Sequence, residues 1–258
     1  MMKLVDMRDL KSLGHYARGG SNPLSGTTKT KTMKRDKSED AWQILRIQGE
    51  FTKGFDTFNE IDVPCVSIFG SARTKQGSKW YNEAREFAKL IACEGFGVIT
   101  GGGPGTMAAA NHGAHEVSGK SIGIGIELPF ESGMNKYVDL GMECRYFFTR
   151  KVMFLKYSQA FAVFPGGLGT LDELFEAITL AQCGHNVKYP IVLVGKDYWS
   201  GLIDWLKDTV LESNKMSPSD FDLFRIVDTA VEARDKIIEF HNKHKTTPEY
   251  LGSNKTNF

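Results

Sequence analysis

The sequence predicts an α/β fold in which a parallel sheet is covered by helices on both faces. From residue 63 onward, short apolar runs alternate with segments of helical periodicity, as in repeated strand–helix–strand units. The runs are continuously apolar, as expected for strands whose two faces are both buried. Glycine makes up 27 of the 258 residues, and two clusters of it, at 101–105 and 166–169, each follow an apolar run and precede a helical segment. Ligands bind at such carboxyl ends of strands in doubly wound sheets.

The first predicted element is an amphipathic helix over 39–57. Ile44, Ile47 and Phe51 recur at helical spacing, and Ser38 is a suitable N-cap followed by acidic residues. The apolar stripe predicts that this helix docks either on the main domain or on a partner subunit.

The remaining elements predict a Rossmann-like, doubly wound order with right-handed crossovers. Strands are expected at 63–69, 97–100, 121–128, 161–164 and 190–194, with shorter ones at 145–148 and 224–227. Helices are expected at 80–91, 106–117, 149–158, 171–182, 199–211 and 229–241. Residues 130–143 carry turn residues and are expected to form a loop.

The chain is expected to divide into three segments. Residues 1–38 are a flexible basic leader, 39–245 a single Rossmann-like nucleotide-binding catalytic domain with its N-terminal helix, and 246–258 a polar tail. Six basic residues and one acidic residue lie within 17–38, where no apolar periodicity occurs. A basic tail can contact nucleic acid or acidic partners, but the composition favours a solvated, disordered leader.

Composition excludes several classes of protein. The longest apolar run, 160–164, has five residues, whereas a membrane-spanning helix needs about twenty. The N-terminus lacks the apolar stretch of a signal peptide, and the formal net charge of +1 argues against a broad nucleic-acid-binding face. The four cysteines form no CxxC pair, so neither a zinc ribbon nor a thioredoxin-like motif is present. A cytoplasmic protein with reduced thiols is expected.

The second glycine cluster, with the sequence PGGLGTLDE over 165–173, is suited to a phosphate. Glycines let the backbone N–H groups approach an anion, and a helix expected to begin near Thr170 or Leu171 adds its positive dipole end. Glu173 lies in the first turn of that helix and, as an anion, is better suited to a sugar hydroxyl or a developing cation than to the phosphate. A simple glycine turn whose acid neutralises the helix N-terminus would give the same local pattern.

Two further loops are expected on the same rim of the sheet. The first glycine cluster, TGGGPGTM over 100–107, also leads from a strand into a helix, but it is not a GxGxxG fingerprint and lacks the lysine of a P-loop. The sequence GSAR at 70–73 follows the first strand. Two turns suited to phosphate in one sheet indicate a nucleotide ligand more strongly than either turn does alone.

Arg150 and Lys151 begin a predicted helix, where basic residues interact unfavourably with the helix dipole. Their position is explained either by an anionic ligand that the guanidinium binds or by an ordinary surface pair. The pairs His112/His115 and His241/His244 lack a matching acidic motif, and no metal site is predicted. The aromatic residues Phe147, Phe148, Trp80, Trp199 and Trp205 are expected in the core.

At these residues the chain closely resembles the LONELY GUY (LOG) phosphoribohydrolases, many of which carry the older label lysine decarboxylase-like. The family signature PGGxGTxxE is matched at every fixed position of 165–173, and the Arg-Lys pair and the first glycine loop are matched too. The similarity covers roughly residues 40–240. The long N-terminus and the GSAR loop resemble the longer bacterial subgroup.

The resemblance implies hydrolysis of the N-glycosidic bond of a nucleoside 5′-monophosphate, a cytokinin riboside monophosphate or AMP, to the free base and ribose 5-phosphate. It implies Arg150 and Glu173 as catalytic residues, no cofactor, and a homodimer or larger homo-oligomer with no membrane or nucleic-acid partner. The expected substrate contacts are Gly70, Ser71, Gly102, Gly103, Gly105, Thr106, Glu131, Lys151, Gly166, Gly167, Leu168, Gly169 and Thr170.

Two other functions use parts of the same pattern. A non-catalytic nucleotide-sensing module would need the glycine turns but not the pair of Arg150 and Glu173. Lysine decarboxylation would need a Schiff-base lysine and a partner for the pyridoxal ring nitrogen, and Lys151 is the only lysine near the predicted site.

Overall fold

The computed structural model describes residues 37–127, 133–183 and 189–245. Predictions for residues 1–36 and 246–258 therefore lie outside the described residues. From Glu39 onward the described residues belong to one compact unit.

Seven parallel strands form one sheet in the order β4-β3-β2-β1-β5-β6-β7. The strands are β1 Cys65–Phe69, β2 Gly97–Thr100, β3 Ser121–Ile126, β4 Leu140–Cys144, β5 Ala160–Val163, β6 Ile191–Val194 and β7 Phe224–Val227. The helices are α1 Lys37–Phe58, α2 Lys79–Cys93, α3 Thr106–Glu116, α4 Phe147–Tyr157, α5 Leu168–Gln182, α6 Lys196–Trp205 and α7 Ala230–His244. A π-helical segment, Leu206–Leu211, extends α6, and a 3₁₀ turn, Pro218–Leu223, precedes β7.

Apolar side chains are buried on both faces of the sheet, which confirms the predicted doubly wound α/β class. On one face, Phe87 of α2 and Ile237 of α7 pack with Val66 of β1. On the other face, Phe154 of α4 and Trp199 of α6 pack in a second cluster. Adjacent residues of a strand point to opposite faces, so continuous apolar strands can serve both clusters.

One strand prediction was wrong. Residues 145–148 were expected as a strand, but α4 begins at Phe147, and the strand is Leu140–Cys144, which overlaps the end of the predicted loop 130–143. β4 is an edge strand with only Met142 and Cys144 buried, so it lacks the continuous apolar run that identifies the central strands.

The predicted burial of aromatic residues was correct only in part. Trp199 is 1% exposed, whereas Phe147, Phe148 and Trp205 are each about half exposed. Trp80 is partly buried against the cluster that contains α2.

Candidate active site

A cavity of about 960 Å³ opens where the strand order of the sheet reverses. β1 pairs with β2 on one side and with β5 on the other. The chain leaves β1 towards the face that carries α2 and leaves β5 towards the face that carries α5, so a crevice forms between the two connections. The predicted residues in the cavity lining are Gly70, Ser71, Gly103, Arg150, Gly167, Leu168, Gly169, Thr170 and Glu173.

Six predicted contacts are placed elsewhere or not described. Gly102, Gly105, Thr106, Lys151 and Gly166 are outside the lining of the cavity, and Glu131 lies outside the described residues.

The second glycine turn presents an open helix N-terminus to the cavity. α5 begins at Leu168, earlier than predicted, directly after the N-cap Gly167, and no side chain caps it. The first N–H groups of a helix have no partner within the helix. A Cβ atom at Gly167 or Gly169 would meet nothing within 4 Å, and Leu168 is 86% exposed. This end of the cavity therefore offers space and positive potential to an anion.

Gly166 shapes the turn without lining the cavity. Its carbonyl accepts a hydrogen bond from the hydroxyl of Tyr198 at 2.6 Å. A Cβ at Gly166 would collide with the side chain of Thr170, which is buried and lines the cavity. The glycine thus allows Thr170 to sit close under the turn.

The first glycine turn packs against the loop that follows β1. Gly105 has φ of +67°, and a Cβ there would collide with the backbone of Ser71 and Ala72. The N–H of Thr106 donates to the carbonyl of Ser71 at 3.0 Å, and the hydroxyls of Thr106 and Thr74 lie 2.9 Å apart. Gly105 and Thr106 therefore join two loops of the rim.

Asn135 fixes the same turn from the opposite side. Its side-chain amide donates to the carbonyls of Gly102 and Gly103 at 3.0 and 3.1 Å and to Oδ1 of Asn111 at 2.9 Å. Oδ1 of Asn111 also accepts a hydrogen bond from the buried hydroxyl of Thr100. The turn is thereby held by a polar network that includes buried groups.

Ser71 connects the two glycine turns. Its N–H donates to the carbonyl of Pro165 at 3.2 Å, and its carbonyl accepts the bond from Thr106. Its hydroxyl accepts the N–H of Arg73 at 3.1 Å. Arg73 was not among the predicted contacts, but it lines the cavity.

Arg150 and Glu173 form an ion pair in the lining of the cavity. Their side chains are 14% and 10% exposed, and Nη1 of Arg150 lies 4.0 Å from Oε1 of Glu173. Nε of Arg150 donates to the carbonyl of Ile124 at 2.8 Å, and the guanidinium lies 5.1 Å from the ring centre of Phe154. A Cβ at Gly101 would collide with the guanidinium, so this glycine makes room for Arg150.

Glu173 is buried without strong compensation for its charge. Burial raises its pKa from 4.5 to about 7, and the positive charges of Arg150 and Lys151 oppose the rise only in part. The protonated and ionised forms of a carboxyl group with this pKa are both accessible near neutral pH, which suits a group at a catalytic site.

Lys151 forms ion pairs beside the cavity. Its Nζ lies 3.0 Å from Oδ1 of Asp172 and 2.7 Å from Oε2 of Glu176, and its side chain is 15% exposed. These pairs tie α4 to the first turns of α5. Because Lys151 follows Arg150 and Asp172 precedes Glu173, the pairs also fix the separation of the two facing residues.

Several lining residues were missed by the sequence predictions. They are Arg73, Met107, Met134, Glu143 and Phe147. Arg73 and Met107 lie within the GSAR and TGGGPGTM segments but were not named as contacts. The other three reach the cavity only through the tertiary fold, and no local motif marks them.

Other predicted features have ordinary contacts. His112 stacks on Tyr137 and lies 3.1 Å from Glu116, whereas His115 lies 3.4 Å from Asp139. Within the described ranges, no group of three or more histidine, cysteine or acidic residues could hold a metal ion. No described helix combines the length and apolar character needed to cross a bilayer.

Comparison with family profiles assigns the chain to a protein family. A family profile described as "Possible lysine decarboxylase" matches residues 107–237, about half of the sequence. The chain belongs to this family.

Curated relatives confirm the resemblance to the LOG family. A Mycobacterium tuberculosis protein named cytokinin riboside 5′-monophosphate phosphoribohydrolase is 32% identical over 153 residues, which cover 58% of this chain and 81% of the relative. A rice protein, probable cytokinin riboside 5′-monophosphate phosphoribohydrolase LOGL3, is 31% identical over 66% of this chain and 82% of its own. An Arabidopsis thaliana protein of the same probable activity, LOG6, is 28% identical over 70% and 90%.

Solved structures agree with the fold of this LOG-family chain. The molybdenum cofactor carrier protein of Chlamydomonas reinhardtii superposes with a TM-score of 0.52 at 23% identity, over 70% of this chain and 99% of that one. The molybdenum cofactor binding protein of Rippkaea orientalis gives 0.51 at 22% identity, over the same shares. At these identities the likeness concerns the fold alone.

Proposed function

We propose that this chain is a phosphoribohydrolase that cleaves the N-glycosidic bond of a nucleoside 5′-monophosphate and releases a free base and ribose 5-phosphate. The observation that carries the proposal is the pair of Arg150 and Glu173, which face each other at 4.0 Å beside an uncapped helix N-terminus in one cavity. The names of the relatives support the same reaction.

The 5′-phosphate belongs at the start of α5 in this proposal. Gly167 and Gly169 leave open space there, and Thr170 and Ser71 add hydroxyl groups at the wall of the cavity. Phosphates bind at helix N-termini because unpaired N–H groups and the helix dipole both favour negative charge. The ribose then lies beside Glu173, in the next part of the same helical turn.

Glu173 acts on the sugar. Cleavage of the bond from C1′ to the base nitrogen leaves the electron pair on the base and positive charge on the sugar, which a nearby carboxylate stabilises. Water then adds a hydroxyl group to C1′, and its proton balances the departing base. Arg150 orients the substrate, and Glu173 acts in its ionised form, so kcat/KM is expected to rise with pH through about 7.

Lysine decarboxylation does not suit this site. A Schiff-base lysine must reach the substrate as a free amine, whereas Nζ of Lys151 is held by Asp172 and Glu176. Cytokinin riboside monophosphates and AMP are the substrates that we propose.

The proposed enzyme is a homo-oligomer. Trp42, Ile44 and Leu45 of α1 are more than half exposed, a large apolar area for one helix. The helix was predicted to dock on the main domain or on a partner subunit. Phe51 and Phe58 pack on the core of this chain, and a homo-oligomer would bury the exposed residues. The four free cysteines fit a cytoplasmic location.

Chromatography of reaction products tests the activity. The purified chain is incubated with AMP and with isopentenyladenosine monophosphate, beside Glu173→Gln and the exposed control Glu212→Gln. We expect release of adenine or isopentenyladenine, a loss of about 10³-fold in Glu173→Gln, and no change in the control. Tight AMP binding without base release would instead favour the nucleotide-sensing module, and full activity of Glu173→Gln would exclude the role given to this carboxylate.

A further inference from the structure

An exposed aromatic side chain lines the cavity at the start of α4. Phe147 is 54% exposed, and Arg150 follows it by three residues, so both side chains lie on one face of the helix. Oε1 of Glu50 accepts the N–H of Arg145 at 2.7 Å, and Oε2 accepts the hydroxyl of Thr149. These bonds hold the first turn of α4, and with it Phe147, in a fixed orientation.

The carboxylate of Glu143 and the side-chain-free backbone of Gly125 lie at the same end of the cavity. Glu143 of β4 is the register partner of Gly125 of β3, and both line the cavity. A Cβ at Gly125 would lie 3.2 Å from Cγ of Glu143, so the glycine keeps the floor beside the carboxylate flat. The N–H of Gly133 donates to Oε1 of Glu143 at 3.2 Å, and Oε2 has no such donor among the described residues.

We infer that this end of the cavity selects the base: the ring stacks on Phe147, and Glu143 accepts a hydrogen bond from an amino group on the ring. The inference rests on the proposed function. With the phosphate at α5 and the sugar at Glu173, Arg150 spans from Glu173 to the carbonyl of Ile124 on β3. The base then continues towards the ends of β3 and β4, where these two side chains lie.

The chemistry of Glu143 defines the class of base. An ionised carboxylate only accepts hydrogen bonds. A 6-aminopurine offers an N–H at this position, and it keeps one when the amine carries a single substituent. A 6-oxopurine presents an oxygen acceptor instead and is repelled. The site therefore selects 6-aminopurine over 6-oxopurine nucleotides.

Phe147→Ala tests the stacking contact. Affinities are measured by calorimetry in the Glu173→Gln background, so that bound nucleotide is not cleaved. We expect AMP to bind at least tenfold more weakly, while ribose 5-phosphate binds within twofold of the parent protein. Phe147→Trp should retain AMP affinity. Phe148→Ala is the matched control, because its side chain is similarly exposed but does not line the cavity.

Glu143→Gln tests the selection between bases. The kcat/KM ratio of AMP to IMP should fall at least tenfold, because the amide of glutamine can donate to the 6-oxo group. Glu127→Gln, at the end of the neighbouring strand and outside the cavity lining, should leave the ratio unchanged. The binding affinities for AMP and IMP are measured in parallel.

The two proposals fail in different ways. If the wild type releases no base but these substitutions change AMP and IMP affinities as expected, the proposed function is wrong and the inference stands. If base is released but Phe147→Ala weakens AMP and ribose 5-phosphate equally, or Glu143→Gln leaves the AMP-to-IMP preference intact, the inference is wrong. A wild type that binds no AMP overturns both.

Discussion

The two glycine-rich turns lie on one rim of the cavity but differ in what surrounds their glycines. In the first turn, Gly105 has a positive φ and touches the backbone of Ser71 and Ala72, and Asn135 holds the neighbouring carbonyls. In the second turn, Gly167 has φ of −90°, and a Cβ there would meet nothing within 4 Å. The first turn needs Gly105 in order to fold, whereas Gly167 and Gly169 of the second turn leave their space empty.

Glycine alone therefore does not identify a ligand contact. The first turn stabilises the rim, and only part of it, including Gly101 and Gly103, lines the cavity. The second turn leaves open space at the start of α5, the helix that carries Glu173, whose burial is costly. Four substitutions test this contrast, in decreasing order of their expected effect on the free energy of unfolding.

Gly105→Ala should destabilise the protein by about 3–5 kcal/mol, because both a positive φ and a backbone collision oppose the new Cβ. Urea denaturation measures the change. Gly77→Ala is the matched control, since φ is +79° there but the space is open, and it should cost only about 1 kcal/mol. Equal costs for the two variants would show that the first turn is not closely packed.

Glu173→Gln should raise stability by about 2–3 kcal/mol at pH 8 and have little effect near pH 4. The carboxyl has a pKa of about 7 when folded and 4.5 as its ordinary value. Between these values the folded chain holds a proton that the unfolded chain has lost, so wild-type stability falls as pH rises through this window. Thermal unfolding from pH 4 to 8 measures the trend, and an identical pH dependence of both proteins would contradict the assigned burial cost.

Asn135→Ala should destabilise the protein by about 1–2 kcal/mol, since the carbonyls of Gly102 and Gly103 lose their side-chain donor. The backbone bond from Asn135 to Gly102 remains, which limits the loss. Thermal unfolding measures it, with the exposed Asn242→Ala as control. A neutral result would mean that the backbone bond alone holds the turn.

Gly167→Ala should change stability by less than about 0.5 kcal/mol, because φ and space both admit a methyl group. The affinity for ribose 5-phosphate should nevertheless fall about tenfold, since the methyl group occupies space beside the helix N-terminus. Gly201→Ala on α6 is equally open and outside the cavity lining, and it should leave the affinity unchanged. Unchanged affinity in Gly167→Ala would show that the phosphate does not bind at this turn.

Most of the fold could be predicted because its central strands are buried on both faces. The central strand β2 and the edge strand β7 have the predicted bounds, and the other central strands and most helices differ by a few residues at their ends. The edge strand β4 was missed, since Gly141 and Glu143 interrupt its apolar pattern on the exposed face. α5 was placed too late, because Gly169 lowers helix propensity in the first turn.

The site was predicted where sequence motifs carry it. Arg150 and Glu173 were both predicted from motifs that lie 23 residues apart in the chain, and the fold brings their side chains to within 4.0 Å. Phe147 was assigned to the core because aromatic residues usually lie there, and Glu143 belonged to a predicted loop. Glu143 lies on β4 and Phe147 begins the helix of the crossover from β4 to β5, and both reach the cavity through a long-range arrangement that local patterns do not encode.

The central pairing of β1 with β5 has a consequence for the order in which the molecule folds. The side chain of Gln159 accepts the N–H of Cys65, 94 residues away in sequence, and Val66 pairs with Ala160. Closing so long a loop is entropically costly and slow compared with the pairing of β1 with β2, β2 with β3 and β3 with β4, which are neighbours in the chain. The contact between Ser71 and Pro165 can form only afterwards. During refolding, ligand-binding competence should therefore return in the slowest phase, after helical signal, and a ribosome-bound chain would lack the cavity until α5 has emerged.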